Sequence, residues 1–197
     1  TIVLSVAGGA TGVLGGVICG PVVEGIRWIL ENYFESVIKT LPESMRGVIV
    51  GNEVLDAMPV QLLHWDGMRW HERGVVAAMQ RLAFADRPTA LRPPVGAAFV
   101  PHTTTEIHPQ AEAFVRTLAD RLERGAAFFI DYGFPDREYY LPERSGGTLM
   151  CHRAHLADAD PLADLGDKDI TAHVDFSAIA LAAHQGAAAP HGHPPVV

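Results

Sequence analysis

The stretch Pro109 to Asp131 constrains the fold more than any other part of this chain. Ala111, Phe114, Val115, Leu118 and Leu122 recur at helical spacing and predict an amphipathic helix from Pro109 to Arg124, with Gly125 at its stop. The apolar run Ala126-Ala-Phe-Phe-Ile-Asp131 follows at once and reads as a strand ending in an acid. Helix, glycine and buried strand in immediate succession form the repeating unit of an open α/β sheet, whose ligands bind outside the carboxyl ends of the strands.

A second such strand is expected at Gly47-Val-Ile-Val-Gly51, a β-branched run with glycine at each end. Upstream, Thr1 to Val6 reads as a short strand, Ala7 to Gly12 as a glycine turn, and Pro21 to Lys39 as a helix. Between Gln61 and Phe84 the pattern breaks into short apolar pieces around Asp66-Gly67 and Arg73-Gly74, the signature of hairpins. Residues 61–100 are therefore expected to form an antiparallel insertion. Ile170 to Asp175 reads as a strand entering a helix, Phe176 to about His184, capped by Asp175 or Ser177. The expected organisation is one domain over residues 1–184, followed by a disordered tail over 185–197 that is rich in alanine, proline, histidine and glycine.

Charge and cysteine usage exclude several classes of function. A net charge of -8 argues against a broad basic surface for nucleic-acid phosphates. The two cysteines, Cys19 and Cys151, have no partner spacing, so neither a disulfide framework nor a zinc site is expected. The apolar segment Thr1 to Val23 is interrupted by glycines and Pro21 and lacks a basic flank, unlike a membrane span or a secretory signal. A cytoplasmic protein without membrane insertion is the expectation. The ten histidines offer no ligand pairing beyond His191-Gly-His193 near the end, so no metal is expected either.

Three constellations could carry chemistry. Asn52-Glu53-Val54-Leu55-Asp56 places an amide and two carboxylates directly after a buried strand, where they can accept from an amine, a guanidinium or a ribose hydroxyl. The same acids also suit the first turn of a helix. Glu106 and His108, one residue apart in Thr105-Glu-Ile-His-Pro109, would share a face of an extended segment, or simply lead into the helix at Pro109. In Ile130-Asp131-Tyr132-Gly133, a carboxylate ends a core strand and a glycine allows close backbone approach. The turn from Gly8 to Gly12 is of the kind that admits a nucleotide-like ligand to the backbone.

Six segments taken in order resemble the MidA family of class I S-adenosylmethionine-dependent methyltransferases. They are Arg46 to Val60, Thr105 to Pro109, Phe129 to Pro135, Glu138 to Tyr140, Gly147 to His152 and Asp169 to Phe176. The resemblance runs from about Leu41 to Ala182, whereas residues 1–40 depart from the pattern and the closing strands are not recognisable. It implies a Rossmann-like, mostly parallel sheet with helices on both faces and an antiparallel insertion, incomplete at both ends. It implies S-adenosyl-L-methionine as cofactor, with Gly8, Gly12, Asn52 and Asp131 on the cofactor side. Glu53, Asp56 and Glu106 would be the catalytic acids. Mitochondrial members of the family methylate an arginine on a respiratory complex I subunit, so a protein substrate is implied as the partner. A noncatalytic interaction module that keeps the sheet core is the competing reading. A nicotinamide oxidoreductase would need Glu24 or Glu31 as its ribose acid, from inside an expected helix.

Overall fold

The structure is a computed structural model that describes residues 2–5, 39–78, 81–154 and 156–187. Its centre is a parallel sheet of three strands, β1 (Ile2–Ser5), β2 (Met45–Asn52) and β7 (Leu122–Ile130), in the order β1-β2-β7. The strands end level, with Ser5 opposite Asn52 and Asn52 opposite Ile130. One edge of the sheet thus gathers three carboxyl ends, the place where such sheets bind ligands.

The β2–β7 ladder depends on two glycines. Gly47 and Gly125 lie opposite each other with φ of 148° and 150°. A Cβ on Gly125 would fall on the Gly47 carbonyl oxygen. Gly125→Ala is therefore expected to cost about 2–4 kcal/mol by forcing the strands apart and straining the backbone. A urea midpoint unchanged from that of the unmutated chain would refute this.

Gly125 accordingly does not stop the helix, as the sequence suggested. Helix α1 (Pro109–Arg121) ends earlier, and Leu122 already begins β7. Ala111, Phe114, Val115 and Leu118 of α1 are buried in a core shared with Met45, Ile49, Val54, Leu55 and Met58. Phe114 meets Phe129 edge-on at 6.2 Å. The last helix, α3 (Phe176–Ala187), runs past His184 into the expected tail, and Gly186 lies so close to the Arg116 carbonyl of α1 that a Cβ would clash with it. Asp175 caps α3 as expected, its Oδ1 accepting the Ser177 and Ala178 N–H groups at 3.0 and 3.2 Å.

The sheet differs from the expectation in two ways. Among the described residues, helices cover the Ile49 side of the parallel sheet, while Val48, Phe128 and Ile130 on the other side are 41%, 57% and 61% exposed. Among the described strands, parallel ones are also outnumbered. The antiparallel region forms a four-stranded sheet of β3 (Gln61–Trp65), β4 (Trp70–Ala78), β5 (Arg81–Pro88) and β6 (Thr103–Ile107), ordered β5-β4-β3-β6. Its first hairpin turns at Asp66-Gly67 as the sequence suggested, with Asp66 Oδ1 accepting the Met68 and Arg69 N–H groups. Arg73-Gly74, by contrast, lies inside β4.

The segment beyond β7 is built of short elements. It holds β8 (Gly133–Phe134), the single-turn helix α2 (Asp136–Tyr139), and a small antiparallel sheet of β9 (Met150–Arg153), β10 (Leu156–Asp158) and β11 (Asp169–Thr171). Strand β12 (Val174–Asp175) then pairs parallel with β8, Val174 opposite Gly133. The expected helix over Pro21 to Lys39 lies outside the described residues except at its end, where Lys39 and Thr40 are helical.

Candidate functional site

Two loops leave the level strand ends of β2 and β7 and are tied together by one side chain. Asp131, directly after β7, accepts the N–H groups of Val54, Leu55 and Asp56 on its Oδ1 at 3.0, 2.9 and 3.1 Å. The loop after β2 would otherwise bury three amide donors without acceptors, which accounts for an acid at this strand end. Glu53 begins that loop with φ of 50°, a left-handed conformation unusual for a glutamate. Its N–H donates to the Ile130 carbonyl at 2.8 Å, which helps hold the strained turn.

The acids divide by depth. Val54 and Leu55 point into the core and Asp56 is only 6% exposed, while Asn52 and Glu53 are exposed. Tyr132, 61% exposed, donates its hydroxyl to Glu53 Oε1 at 3.0 Å and so fixes the outer carboxylate. Burial, then the neighbouring Asp131 and Glu53 charges, push the Asp56 carboxyl up to about 7. Burial likewise raises Asp131, against the pull of the three N–H bonds it accepts. Asp56 Oδ1 and Asp131 Oδ2 are buried with no hydrogen-bond partner among the described residues. The proton that the raised Asp56 carboxyl keeps is shared with Asp131, and these two oxygens serve that pair.

This geometry predicts an unusual pH dependence. A carboxyl whose folded pKa is raised from 3.8 to about 7 favours folding most below the lower value, and that contribution is lost as pH rises through about 7. Between pH 4 and pH 8 the unmutated chain is expected to lose about 2 kcal/mol relative to Asp56→Asn, roughly half the value for an isolated carboxyl because Asp56 and Asp131 titrate together. Parallel slopes of unfolding free energy against pH for the two chains would refute it.

Glu106 lies elsewhere. It is fully buried, with Oε1 accepting the Thr148 and Leu149 N–H groups at 2.9 and 3.2 Å and Oε2 facing the Tyr139 hydroxyl at 3.1 Å. The shared face expected for Glu106 and His108 exists, since His108 Nε2 meets the same Tyr139 hydroxyl at 3.1 Å. A carboxylate occupied entirely by protein donors has no oxygen to offer a substrate. Gly8 and Gly12, expected on the cofactor side, lie outside the described residues. Of the residues read from the sequence, Asn52, Glu53, Asp56 and Asp131 come together at the strand ends.

Sequence reasoning overlooked the segment that joins the two loops. Ala172 donates its N–H to the Asp56 carbonyl at 3.0 Å, and Val174 donates to the Tyr132 carbonyl at 2.7 Å. The His173 ring stacks on Phe134 at 5.2 Å, and the Arg144 guanidinium lies over that same ring at 3.7 Å. The segment had been singled out only as part of Asp169 to Phe176, with no spacing signal to connect it with a loop more than a hundred residues earlier.

The model of a family of S-adenosyl-L-methionine-dependent methyltransferases matches residues 20–193. The chain belongs to this methyltransferase family. Similar solved structures include a superfamily member from Burkholderia thailandensis bound to S-adenosyl-homocysteine, 44% identical with a TM-score of 0.71 over 86% of this chain and 46% of that one. A native structure of an uncharacterized superfamily protein from the same organism is 50% identical, with a TM-score of 0.70 over 75% of this chain and 41% of that one. Two curated relatives carry the name "Protein arginine methyltransferase NDUFAF7 homolog, mitochondrial". The one from Caenorhabditis elegans is 26% identical over 73% of this chain and 34% of its own length. The Drosophila melanogaster one is 28% identical over 67% of this chain and 31% of its own length. The chain thus spans about a third of the curated relatives and less than half of the solved ones.

The family's cofactor is S-adenosyl-L-methionine, and the described residues fit it. Asn52 and Glu53, exposed at the parallel strand ends, present acceptors of the kind that ribose hydroxyls and an amino group require. Among the described residues there is no cluster of histidine, cysteine or acidic side chains that could hold a metal ion. No helix among them is long and apolar enough to cross a membrane.

Proposed function

We propose that this chain carries the substrate-side wall of a methyltransferase that acts on a protein arginine, with Glu53 and Asp56 as the acids that engage the substrate and Asn52 and Asp131 on the cofactor side. The observation that carries this reading is the acid-rich strand edge: Glu53, Asp56 and Asp131 converge there, and the charges acting on Asp56 are all carboxylates. Such a site calls for a cation, and a guanidinium matches paired carboxylates through its planar fork of donors.

When bound, S-adenosyl-L-methionine supplies an electrophilic methyl group on a sulfonium. The protein residues supply position and charge. Glu53, with one oxygen held by Tyr132, presents the other to the guanidinium and aligns its nitrogen. Asp56, half neutral near pH 7, can take up a proton as the alkylated nitrogen loses one. Asp131 keeps the loop between them in shape.

Titration with S-adenosylhomocysteine by calorimetry tests the cofactor side, and heat at micromolar concentration is the expected result. Glu53→Gln is expected to lower kcat by about a hundredfold with little change in cofactor affinity, as for loss of one group that stabilises transition-state charge. Methylation at the full rate by that variant would remove Glu53 from the mechanism.

The family resemblance would make a respiratory complex I subunit or a similar protein the substrate, while the relatives' names go only as far as a protein arginine. The buried free thiol of Cys151 suits a reducing compartment such as the cytoplasm. The exposed apolar side of the parallel sheet favours the second reading, an interaction module without catalysis. The same calorimetric titration separates the two, because only the enzyme must bind the cofactor product.

A further inference from the structure

The buried polar cluster around Tyr139 is larger than folding of its own segment requires. Its hydroxyl, on a side chain only 1% exposed, lies 3.1 Å from each of Glu106 Oε2, His108 Nε2, Thr148 Oγ1 and the His173 carbonyl. Thr148 Oγ1 also accepts the His173 N–H at 3.0 Å and lies 3.3 Å from Glu106 Oε2. One assignment of protons uses every hydroxyl and N–H donor of the cluster. The His108 ring donates to the Tyr139 oxygen, Tyr139 donates to the His173 carbonyl, and the Thr148 hydroxyl donates to Glu106. Burial holds the His108 ring neutral with its pKa down at about 4, as this assignment needs.

Both backbone polar groups of His173 are therefore gripped by side chains of the cluster. On either side of His173, Ala172 holds the Asp56 carbonyl and Val174 holds the Tyr132 carbonyl. These are the two loops that carry the acids. The chain 172–174 is a crossbar between them, and the Glu106–Tyr139–Thr148 cluster is its mount.

We infer that Tyr139, Thr148 and Glu106 are positioning residues that fix the spacing of the Glu53–Asp56 loop and the Asp131–Tyr132 loop through the backbone of Ala172, His173 and Val174. The inference rests on the functional reading of the acid-rich edge given above, but its geometry is independent of any ligand. Glu106 thereby governs the acids without touching a substrate. None of these residues belongs to the local sequence of either loop.

The pair Thr148→Val and Thr148→Ser tests it. Valine keeps the shape but removes the acceptor for the His173 N–H and the donor to Glu106; serine keeps both. In Thr148→Val, amide exchange at Ala172 and His173 is expected to quicken at least tenfold while α1 amides are unchanged. Its kcat should fall about tenfold or more with KM for S-adenosylmethionine within threefold, and Thr148→Ser should match the unmutated chain in all three. A full kcat and unchanged exchange in a folded Thr148→Val, or equal losses in valine and serine, would overturn the inference. Should the valine variant not fold, the unmutated chain decides. In a denaturant series the amides of Val54, Leu55, Asp56 and Ala172 are expected to open as one unit, and separate openings overturn the crossbar. If the unmutated chain neither binds S-adenosylhomocysteine nor transfers methyl groups, the functional reading fails while the exchange measurements still judge the crossbar.

Discussion

Asp131→Ala is expected to destabilise the chain by about 3–5 kcal/mol and to abolish S-adenosylhomocysteine binding. One carboxylate oxygen accepts three backbone N–H groups, from Val54, Leu55 and Asp56. Truncation leaves those donors in a loop whose flanking side chains, Val54 and Leu55, are 4% and 1% exposed, so water replaces the acceptor poorly. An unsatisfied buried amide costs about 1–3 kcal/mol, and partial rearrangement of the loop would recover some of the total. The left-handed turn at Glu53 would loosen as well, although the Ala172 N–H on the Asp56 carbonyl and the core packing of Val54 and Leu55 would still hold part of the loop. Asp131→Asn provides the control: its amide oxygen can still accept the three N–H groups, and most of the stability should remain. Urea denaturation of the three chains measures the difference. An alanine variant within about 1 kcal/mol of the unmutated chain would show that the loop does not depend on this acid.

Glu106→Ala is expected to cost a similar amount, about 3–5 kcal/mol, for a different reason. Glu106 is fully buried, takes hydrogen bonds from two backbone N–H groups and the Thr148 hydroxyl, and lies against the Tyr139 hydroxyl. Burial pushes its carboxyl up, and the N–H and hydroxyl bonds oppose that shift. Removing it strands the Thr148 and Leu149 amides and opens a cavity, which together account for the expected loss. For a chain of this length the melting temperature should fall by about 10 °C. The turn at Gly147 was built around this side chain: its φ is 80°, and a Cβ there would collide with Glu106 Oε1. Glu106→Gln keeps an acceptor for the two amides and should lose less than half as much. Equal losses for alanine and glutamine would place the effect in the charge rather than in the hydrogen bonds.

The features that could be read in advance were those with a local signal. The β-branched run of Gly47 to Gly51 lies inside β2, the 3.6-residue spacing after Pro109 became α1, and Asp66-Gly67 turned the first hairpin. Each depends on contacts within a few residues, so its pattern is written in the neighbouring letters. Boundaries were less legible. Gly125 looked like a helix stop because glycine favours that position, yet its φ of 150° serves the close approach to Gly47, a partner 78 residues away.

The acid-rich edge with which this chain meets a ligand shows the same division. The sequence by itself determined that acids follow two apolar strands at Asn52–Asp56 and at Asp131, and the resemblance named the family to which such a pattern belongs. Only the tertiary structure decided what each acid does: Asp131 braces the other loop, Tyr132 holds Glu53, Asp56 is buried, and Glu106 mounts a crossbar rather than joining the site. Side-chain hydrogen bonds between residues 42 to 79 positions apart impose no periodicity on either segment. They are fixed when the strands align, and until then the same carboxylates are free to serve any of these roles.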